Sequence, residues 1–429
     1  MSRRVVVAVG ALAFFALGTH SDSLGTHSDS SVQPNTAIAE AEYDVVTEAT
    51  ITGPPAKMAR AAVHGPVAVS PDGFIIGADI STLRKVEDHG GRFFDKDGLE
   101  RDLIATLRDH GVNYIRLKIW KDPVDVGGYN DLPEVVEVAK RATELGLPVL
   151  LNFHYSNFWA DPGRQNKPTA WKDLSFEELT QAVYAYTAKV ITTLRKAGAL
   201  PSMVQIGNEI QAGMLWPDGK TWGEELGVDH GGFDNLVALL RAGIDGVRNS
   251  LEPGDEVKIM LHLADGGDNN LYRWWFDEVI GRGLTDFDVI GVSFYPFWHG
   301  SLADLQRNLN DISQRYGKYV IVVETAYAFT LEDGDGHPNI FGSREEAAGG
   351  YPATIEGQAA FLRELTRVVC SVPDGRGLGI FYWEPAWLPV QGAGWRDGEG
   401  NAWENMALFD FDGNALPSLA AFKSPCALD

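Results

Sequence analysis

The chain has 429 residues, of which 45% are hydrophobic, ample for a large core and long enough for a barrel-sized domain. With 36 Lys+Arg against 59 Asp+Glu the formal charge is −23, which makes a nucleic-acid backbone a poor partner and suits a soluble protein acting on an uncharged or cationic one. The two cysteines, Cys370 and Cys426, form no CxxC motif or Cys/His cluster, which argues against a thiolate zinc site. They either pair in an exported protein or stand as separate buried thiols.

The first residues read as a secretory signal over 1–20: Arg3 and Arg4 form a basic start, and the apolar stretch 5–17 is too short to span a membrane. A polar stretch follows in which GTHSDS occurs twice, and residues 21–70 read as a linker or N-terminal extension ahead of a domain at 71–429. From Gly73 onward strand-like and helix-like stretches alternate. Strands are expected at 74–79, 112–117, 148–154, 203–209, 257–262, 289–295, 319–325 and 378–383. Helices are expected at 99–110, 132–145, 177–197, 233–249, 271–281, 302–316 and 355–369. Eight strands alternating with helices imply an α/β fold of the (β/α)₈ TIM-barrel type in one catalytic domain. The competing architecture, an open doubly wound sheet, would carry a GxGxxG turn after its first strand, and none is present.

The apolar runs end in polar or aromatic residues: Asp79, Arg116, His154, Asn208 and Glu209, His262 and Asp265, Tyr295, Glu324, Trp383 and Glu384. A barrel interior is filled with branched apolar side chains, and the carboxyl ends of its strands are where a pocket forms. Two carboxylates across such a pocket can hydrolyse a glycosidic bond, one protonated to donate to the leaving oxygen and one ionised to attack the anomeric carbon. Glu209 and Glu324 are the candidates. Arg116 and Tyr295 are placed to keep Glu324 ionised, Asn208 to bond a sugar 2-hydroxyl, and Trp383 to form a platform for a sugar ring. A lone strand-end glutamate is more often a salt-bridge partner; the combination is what carries the reading.

The motifs GADISTLRKVED, IRLKIW, HYSNFWADP, IGNEIQAGMLWP, GVSFYPFW, VVVET and YWEPAW resemble glycoside hydrolase family 53, the endo-β-1,4-galactanases, over about residues 74–422. The resemblance implies a secreted endo-acting enzyme that cleaves β-1,4-galactosidic bonds in galactan or type I arabinogalactan of pectin. It makes Glu209 the acid/base and Glu324 the nucleophile of a retaining double displacement, with carboxyl groups about 5 Å apart. Asp79, Arg116, His154, Trp159, Asn208, Trp216, Asp265, Tyr295, Trp383 and Trp387 fall in or beside the matching motifs as substrate-binding candidates. The expected partner is a polysaccharide, with neither nucleic acid nor membrane bound after signal removal, and the expected state is a monomer.

After the seventh strand, Asp333, Asp335, His337 and Asn339 place potential ligands at every second position, as in the first half of a calcium loop. A glutamate at the closing position of an EF-hand is absent, since Arg344 stands there, so the remaining ligands must come from elsewhere. The resemblance to bacterial family members implies a structural Ca2+ that ties this loop to the one after strand 8, where Asp397 is a candidate. The alternative functions are a related retaining barrel hydrolase acting on mannan or glucan, and a sugar-binding barrel without turnover.

Overall fold

The protein's structure, a computed structural model, describes residues 73–123, 127–222, 232–396, 398–423 and 426. The expected signal and linker, and Asp397, lie outside them. Eight strands form one closed parallel barrel: β1 (Ile75–Asp79), β2 (Tyr114–Ile119), β3 (Val149–Phe153), β4 (Met203–Ile206), β5 (Lys258–Leu263), β6 (Val289–Ser293), β7 (Tyr319–Thr325) and β8 (Gly377–Trp383). They pair in sequence order, and β8 closes on β1 through the register Ile75↔Gly379 to Asp79↔Trp383. The helices are α1 (Leu83–Asp88), α2 (Leu103–Asp109), α3 (Leu132–Glu144), α4 (Phe176–Lys196), α5 (Gly232–Arg248), α6 (Asn269–Gly281), α7 (Leu302–Tyr316), α8 (Ser343–Gly349) and α9 (Ile355–Cys370). None of those described is long and apolar enough to cross a membrane.

Two expected boundaries move for local reasons. The helix expected at 99–110 starts only at Leu103, because the Asp102 carboxylate caps the amide of Ala105. Leu99 is left exposed in the preceding turn. The second strand runs to Ile119 rather than residue 117, paired with β3 through Lys118↔Asn152 and Ile119↔Phe153. That extension carries Lys118 into the interior. Helices α1 and α8 were not expected: each is short, and α8 buries no side chain.

The longer helices show why the outer layer forms. Ser175 and Glu178 make a reciprocal capping box at the start of α4. Its buried Leu179, Val183, Thr187, Val190, Ile191 and Leu194 then fall on one face at helical spacing. Each large aliphatic side chain among them contributes about 1.5–3 kcal/mol on burial. Ser301 and Asp304 start α7 in the same way.

Inside the barrel, a separate apolar cluster of Ile75, Tyr114, Leu150, Met203, Met260, Val289, Ile321, Val323, Leu378 and Phe381 fills the lower half. The Phe381 ring occupies the space over Gly77, where a Cβ would lie 2.1 Å from it. Strand alternation sends residues two positions further along to the same face. There the residue types change: Tyr114 is followed by Arg116 and Lys118, Leu150 by Asn152, Met203 by Gln205, and Met260 by His262. The barrel is thus apolar at its amino-terminal half and polar at its carboxyl-terminal mouth. A register shift between β6 and β7 after Val292 sets Ser293 opposite Glu324, a local irregularity that re-aims the glutamate.

Candidate active site

Arg116 is the centre of the polar layer. It is fully buried; Nη1 donates to Asp79 (2.7 Å), and Nη2 lies 2.8 Å from Glu324 Oε1 and 3.1 Å from both Gln205 Oε1 and Asn208 Oδ1. A planar guanidinium can address several acceptors from fixed directions, which an ammonium cannot. Asp79 is also held by the amide and hydroxyl of Ser81 at the start of the next loop, so its carboxylate is engaged within the protein.

Glu324 therefore meets opposing influences. Burial raises its pKa and the Asp79 charge adds to this. The Arg116 charge and hydrogen bond, with the Tyr295 hydroxyl 3.4 Å from Oε2, pull it back toward the ionised form. Glu209, 8% exposed, has no salt-bridging cation among the described residues. Burial and the Glu324 charge push its carboxyl well above the usual range, and only the Ser293 hydroxyl, donating to Oε1 at 2.7 Å, acts the other way. A third carboxylate in a pocket that already holds two against one guanidinium is costly at low dielectric. One carboxyl is thus built to keep its proton and the other to lose it.

Asn208, preceding Glu209, accepts from Arg116 and from Asn152 Nδ2 (3.0 Å) and donates to Ala160 O (2.8 Å), which leaves one amide hydrogen for a ligand. His154 accepts at Nδ1 from Ala160 N (3.0 Å) and Trp120 Nε1 (3.3 Å). Burial and the nearby Lys118 and Arg116 charges keep the ring neutral, so its hydrogen is on Nε2. Asp265 lies further out, 3.5 Å from Gln211 Nε2 and 3.7 Å from His299 Nε2. Trp216 is half-buried. Its amide bonds Gln165 O (2.7 Å), and Gln165 Nε2 bonds Asn208 O (2.7 Å), which ties that loop to the glutamate's backbone.

The aromatic candidates line one side. Trp159 stacks on Trp395 (4.6 Å between centroids, 14° between planes) and lies 5.5 Å from Trp383 and 6.0 Å from Trp387. Trp383 meets Trp403 edge-on, and Trp403 in turn meets Tyr295. Trp387 is almost fully buried with Nε1 bonded to Ala393 O, so it stands behind the others.

Several members of this network are not singled out by the sequence as site residues. Lys118 sits 3.9 Å from the centre of the Trp159 ring and 3.1 Å from Glu384 Oε1. Glu384 also accepts from the amide and hydroxyl of Thr82, and burial raises its pKa to about 7 against the opposing Lys118 charge. Asn152, Gln205, His262 and Ser293 interlock around Asn208 and Glu209. The signal that finds them is period two, counted from an interior apolar residue. Tyr155, Glu209, Asp265 and Glu384, each just beyond a strand end, have φ between 50° and 55°. This left-handed backbone is costly for a residue with a Cβ.

Where the loops after β7 and β8 meet, carboxylate oxygens of Asp333, Asp335 and Glu404 lie within 4.8 Å of one another. Asp333 and Asp335 are exposed and Glu404 is buried. Glu404 Oε2 and Asn339 Oδ1 are buried without a hydrogen-bond partner, and burial with the two aspartate charges raises Glu404 to about 7. Unpartnered buried oxygens beside three carboxyl groups are the donor set a hard cation takes. His337 contributes no side-chain oxygen, and the loop after β8 supplies Glu404. Cys370 and Cys426 are disulfide-bonded.

Residues 75–422 match the glycosyl hydrolase family 53 profile. A protein from Niallia circulans, described as an uncharacterized protein in the bgaB 5' region, is 47% identical over 353 residues, covering 82% of this chain and 94% of its own. The endo-beta-1,4-galactanase of Bacillus subtilis is 37% identical over 385 residues, covering 82% and 85%. The solved catalytic domain of that family from Ignisphaera aggregans superposes with a TM-score of 0.77 at 46% identity, covering 84% of this chain and 98% of its own. The match spans the whole barrel, all eight strands and the loops that close its mouth, and the chain belongs to glycosyl hydrolase family 53.

Proposed function

We propose that this chain is an endo-acting, retaining β-1,4-galactanase in which Glu324 is the nucleophile and Glu209 the general acid/base. The reading is carried by the asymmetric surroundings of two buried glutamates at one barrel mouth: a guanidinium on Glu324, none on Glu209. Galactan as substrate is supported by the Bacillus subtilis relative, an endo-beta-1,4-galactanase.

In the first half-reaction Glu324 attacks the anomeric carbon while Glu209 gives its proton to the departing oxygen. Neutralising Glu324 in the ester removes the repulsion that raises Glu209. The deprotonated Glu209 then serves as base for the attacking water. Arg116 holds Glu324 in place and bears the returning charge. The free amide hydrogen of Asn208 and the Nε2–H of His154 are donors for sugar hydroxyls, and the Trp383 face packs against sugar C–H groups, with Trp159, held between Lys118 and Trp395, standing behind it. Asp79 acts through Arg116, and Asp265, Trp216 and Trp387 shape the flanks of the groove. Asp333, Asp335, Glu404 and Asn339 would hold a calcium ion, with the His337 carbonyl as a further ligand. The ion would serve to fix the β7 loop to the β8 loop. Residues 1–20 serve as a secretory signal, 21–70 as a linker, and 71–429 as a monomeric secreted domain; the disulfide supports an oxidising destination.

The test is product analysis on β-1,4-galactan beside mannan and cellulose, with proton NMR of the first-formed anomer. Short galactose oligomers released as the β-anomer are expected from galactan alone, and Glu324→Gln should bind galactan without cleaving it. Faster cleavage of mannan or glucan would overturn the substrate. Turnover by Glu324→Gln near that of the parent would overturn the mechanism.

A further inference from the structure

Three side chains, Gln205, His262 and Ser293, connect Arg116 to Glu209 in a second, fully buried path that the catalytic steps leave unused. Gln205 accepts at Oε1 from Arg116 Nη2 (3.1 Å). A guanidinium only donates, so this contact fixes the amide orientation and makes Nε2 the donor that reaches His262 Nδ1 at 3.0 Å. The amide of Glu209 also points at that nitrogen, at 3.3 Å. Asn208 Oδ1 also lies 3.2 Å from it, but a backbone N–H can only donate, so the Glu209 amide makes Nδ1 an acceptor. Burial and the Arg116 charge keep the ring neutral, and its one hydrogen must sit on Nε2. Nε2 lies 2.8 Å from Ser293 Oγ, and Ser293 Oγ lies 2.7 Å from Glu209 Oε1. With a donor already supplied by His262, the serine hydroxyl has its own hydrogen to give, and Glu209 Oε1 receives it.

We propose that Ser293, oriented by His262, is a positioning residue for Glu209: it occupies Oε1 as a donor, confines the acid's proton to Oε2, and holds that oxygen toward the cleft. This rests on the reading of Glu209 as acid/base. A proton free to sit on either oxygen would spend part of its time on the one turned toward Ser293, where no leaving group can reach it. The same hydroxyl steadies the carboxylate once the proton has gone. It therefore moderates the rise that burial imposes, since a hydrogen bond to the charged form lowers a carboxyl pKa. The other groups whose charge bears on Glu209 are Glu324, Asp161 and Asp265; Tyr272 and Tyr295 feel its charge in turn, Arg116 reaches it through the Gln205 path, and His299 stands between Asp265 and the Ser293 carbonyl. All of these stay in place when only the Ser293 hydroxyl is changed.

The experiment compares the parent, Ser293→Ala, Ser293→Cys and Ser293→Thr on β-1,4-galactan and on 2,4-dinitrophenyl β-galactobioside, with Glu209→Gln as control and thermal melts of each. The alanine variant should lose about 10–100-fold in kcat on galactan with KM within about twofold. The basic limb of its pH profile should move up by about one pH unit. The dinitrophenolate burst should keep the parent rate, because that leaving group needs no proton. Cysteine, with nearly the same volume but a weak donor, should shift in the same direction, and threonine should restore both limb and rate. The cysteine variant decides the matter if alanine does not fold. An unmoved basic limb with galactan kcat within twofold would overturn the proposal while leaving Glu209 as the acid. So would a burst that falls as far as galactan cleavage, the mark of a merely structural role. Galactan cleavage by Glu209→Gln at the parent rate would instead remove the reading of Glu209, and the proposal with it.

Discussion

Arg116→Met keeps most of the side-chain volume and removes the charge. Asp79 and Glu324 then lose the cation that pairs with them, and Gln205 Oε1 and Asn208 Oδ1 lose a donor at 3.1 Å. Breaking a buried ion pair from one side costs about 3–5 kcal/mol, because the remaining charge stays buried and unpaired. Here the orphaned groups are carboxyls, which can take up protons. In the parent, burial raises Glu324 while Arg116 opposes the rise. Without Arg116 the folded-state pKa climbs further. A carboxyl whose folded pKa exceeds its unfolded value near 4.3 loses stability as pH rises between the two. The deficit of the variant should thus be largest at neutral pH and shrink toward pH 4–5. The same shift moves the acid limb of kcat/KM upward, since the nucleophile must be ionised. Calorimetric melts at pH 7 and pH 5, with a pH–rate profile on galactan, check both. An equal loss of Tm at the two pH values, or an unmoved acid limb, would refute the electrostatic account of Arg116.

Other outcomes follow from the same coordinates. Calcium should raise the melting temperature, by about 2.7 kcal/mol of stabilisation at a hundredfold excess over Kd, and Glu404→Gln should abolish that response to added calcium or EDTA. Because Glu404 sits near pKa 7 before metal arrives, binding followed by calorimetry should release protons and tighten as pH rises toward 7. Replacing both Cys370 and Cys426 by serine opens a crosslink across 56 residues. It should cost about 4 kcal/mol, seen as an equal Tm drop in the variant and in the reduced parent. Trp159→Ala removes the ring that faces Lys118 and stacks on Trp395. It should weaken galactan binding by about 1–3 kcal/mol in a direct titration while leaving the positions of both pH limbs.

The barrel was legible because each strand is a short apolar run and each outer helix carries a spaced apolar face, as in α4. The mouth was legible where a charged residue interrupts such a run, as Glu209 and Glu324 do. Lys118 was harder to see, since a lysine inside IRLKIW looks like the outward residue of an alternating strand until Arg116 is known to face inward. Ser293 and Gln205 carry no charge, and their place depends on which strands are neighbours and on the register shift opposite Glu324. Glu404 illustrates the remaining limit. It joins Asp333 and Asp335 only because the loops after β7 and β8 converge in space, and linear spacing holds no trace of that.

The left-handed turns at Glu209 and Asp265 set durability against turnover at single codons. Each costs about 1–3 kcal/mol for a side chain bearing a Cβ, and glycine would refund that sum while deleting the carboxyl the mouth depends on. A library selected only for heat tolerance should drift toward glycine or asparagine at these two sites and grow sturdier as it falls silent, but not at the left-handed Glu384, whose loss would leave the buried Lys118 unpaired. Hardening this enzyme without that loss means leaving the rim untouched and working on the far, apolar half of the barrel and on the helices around it.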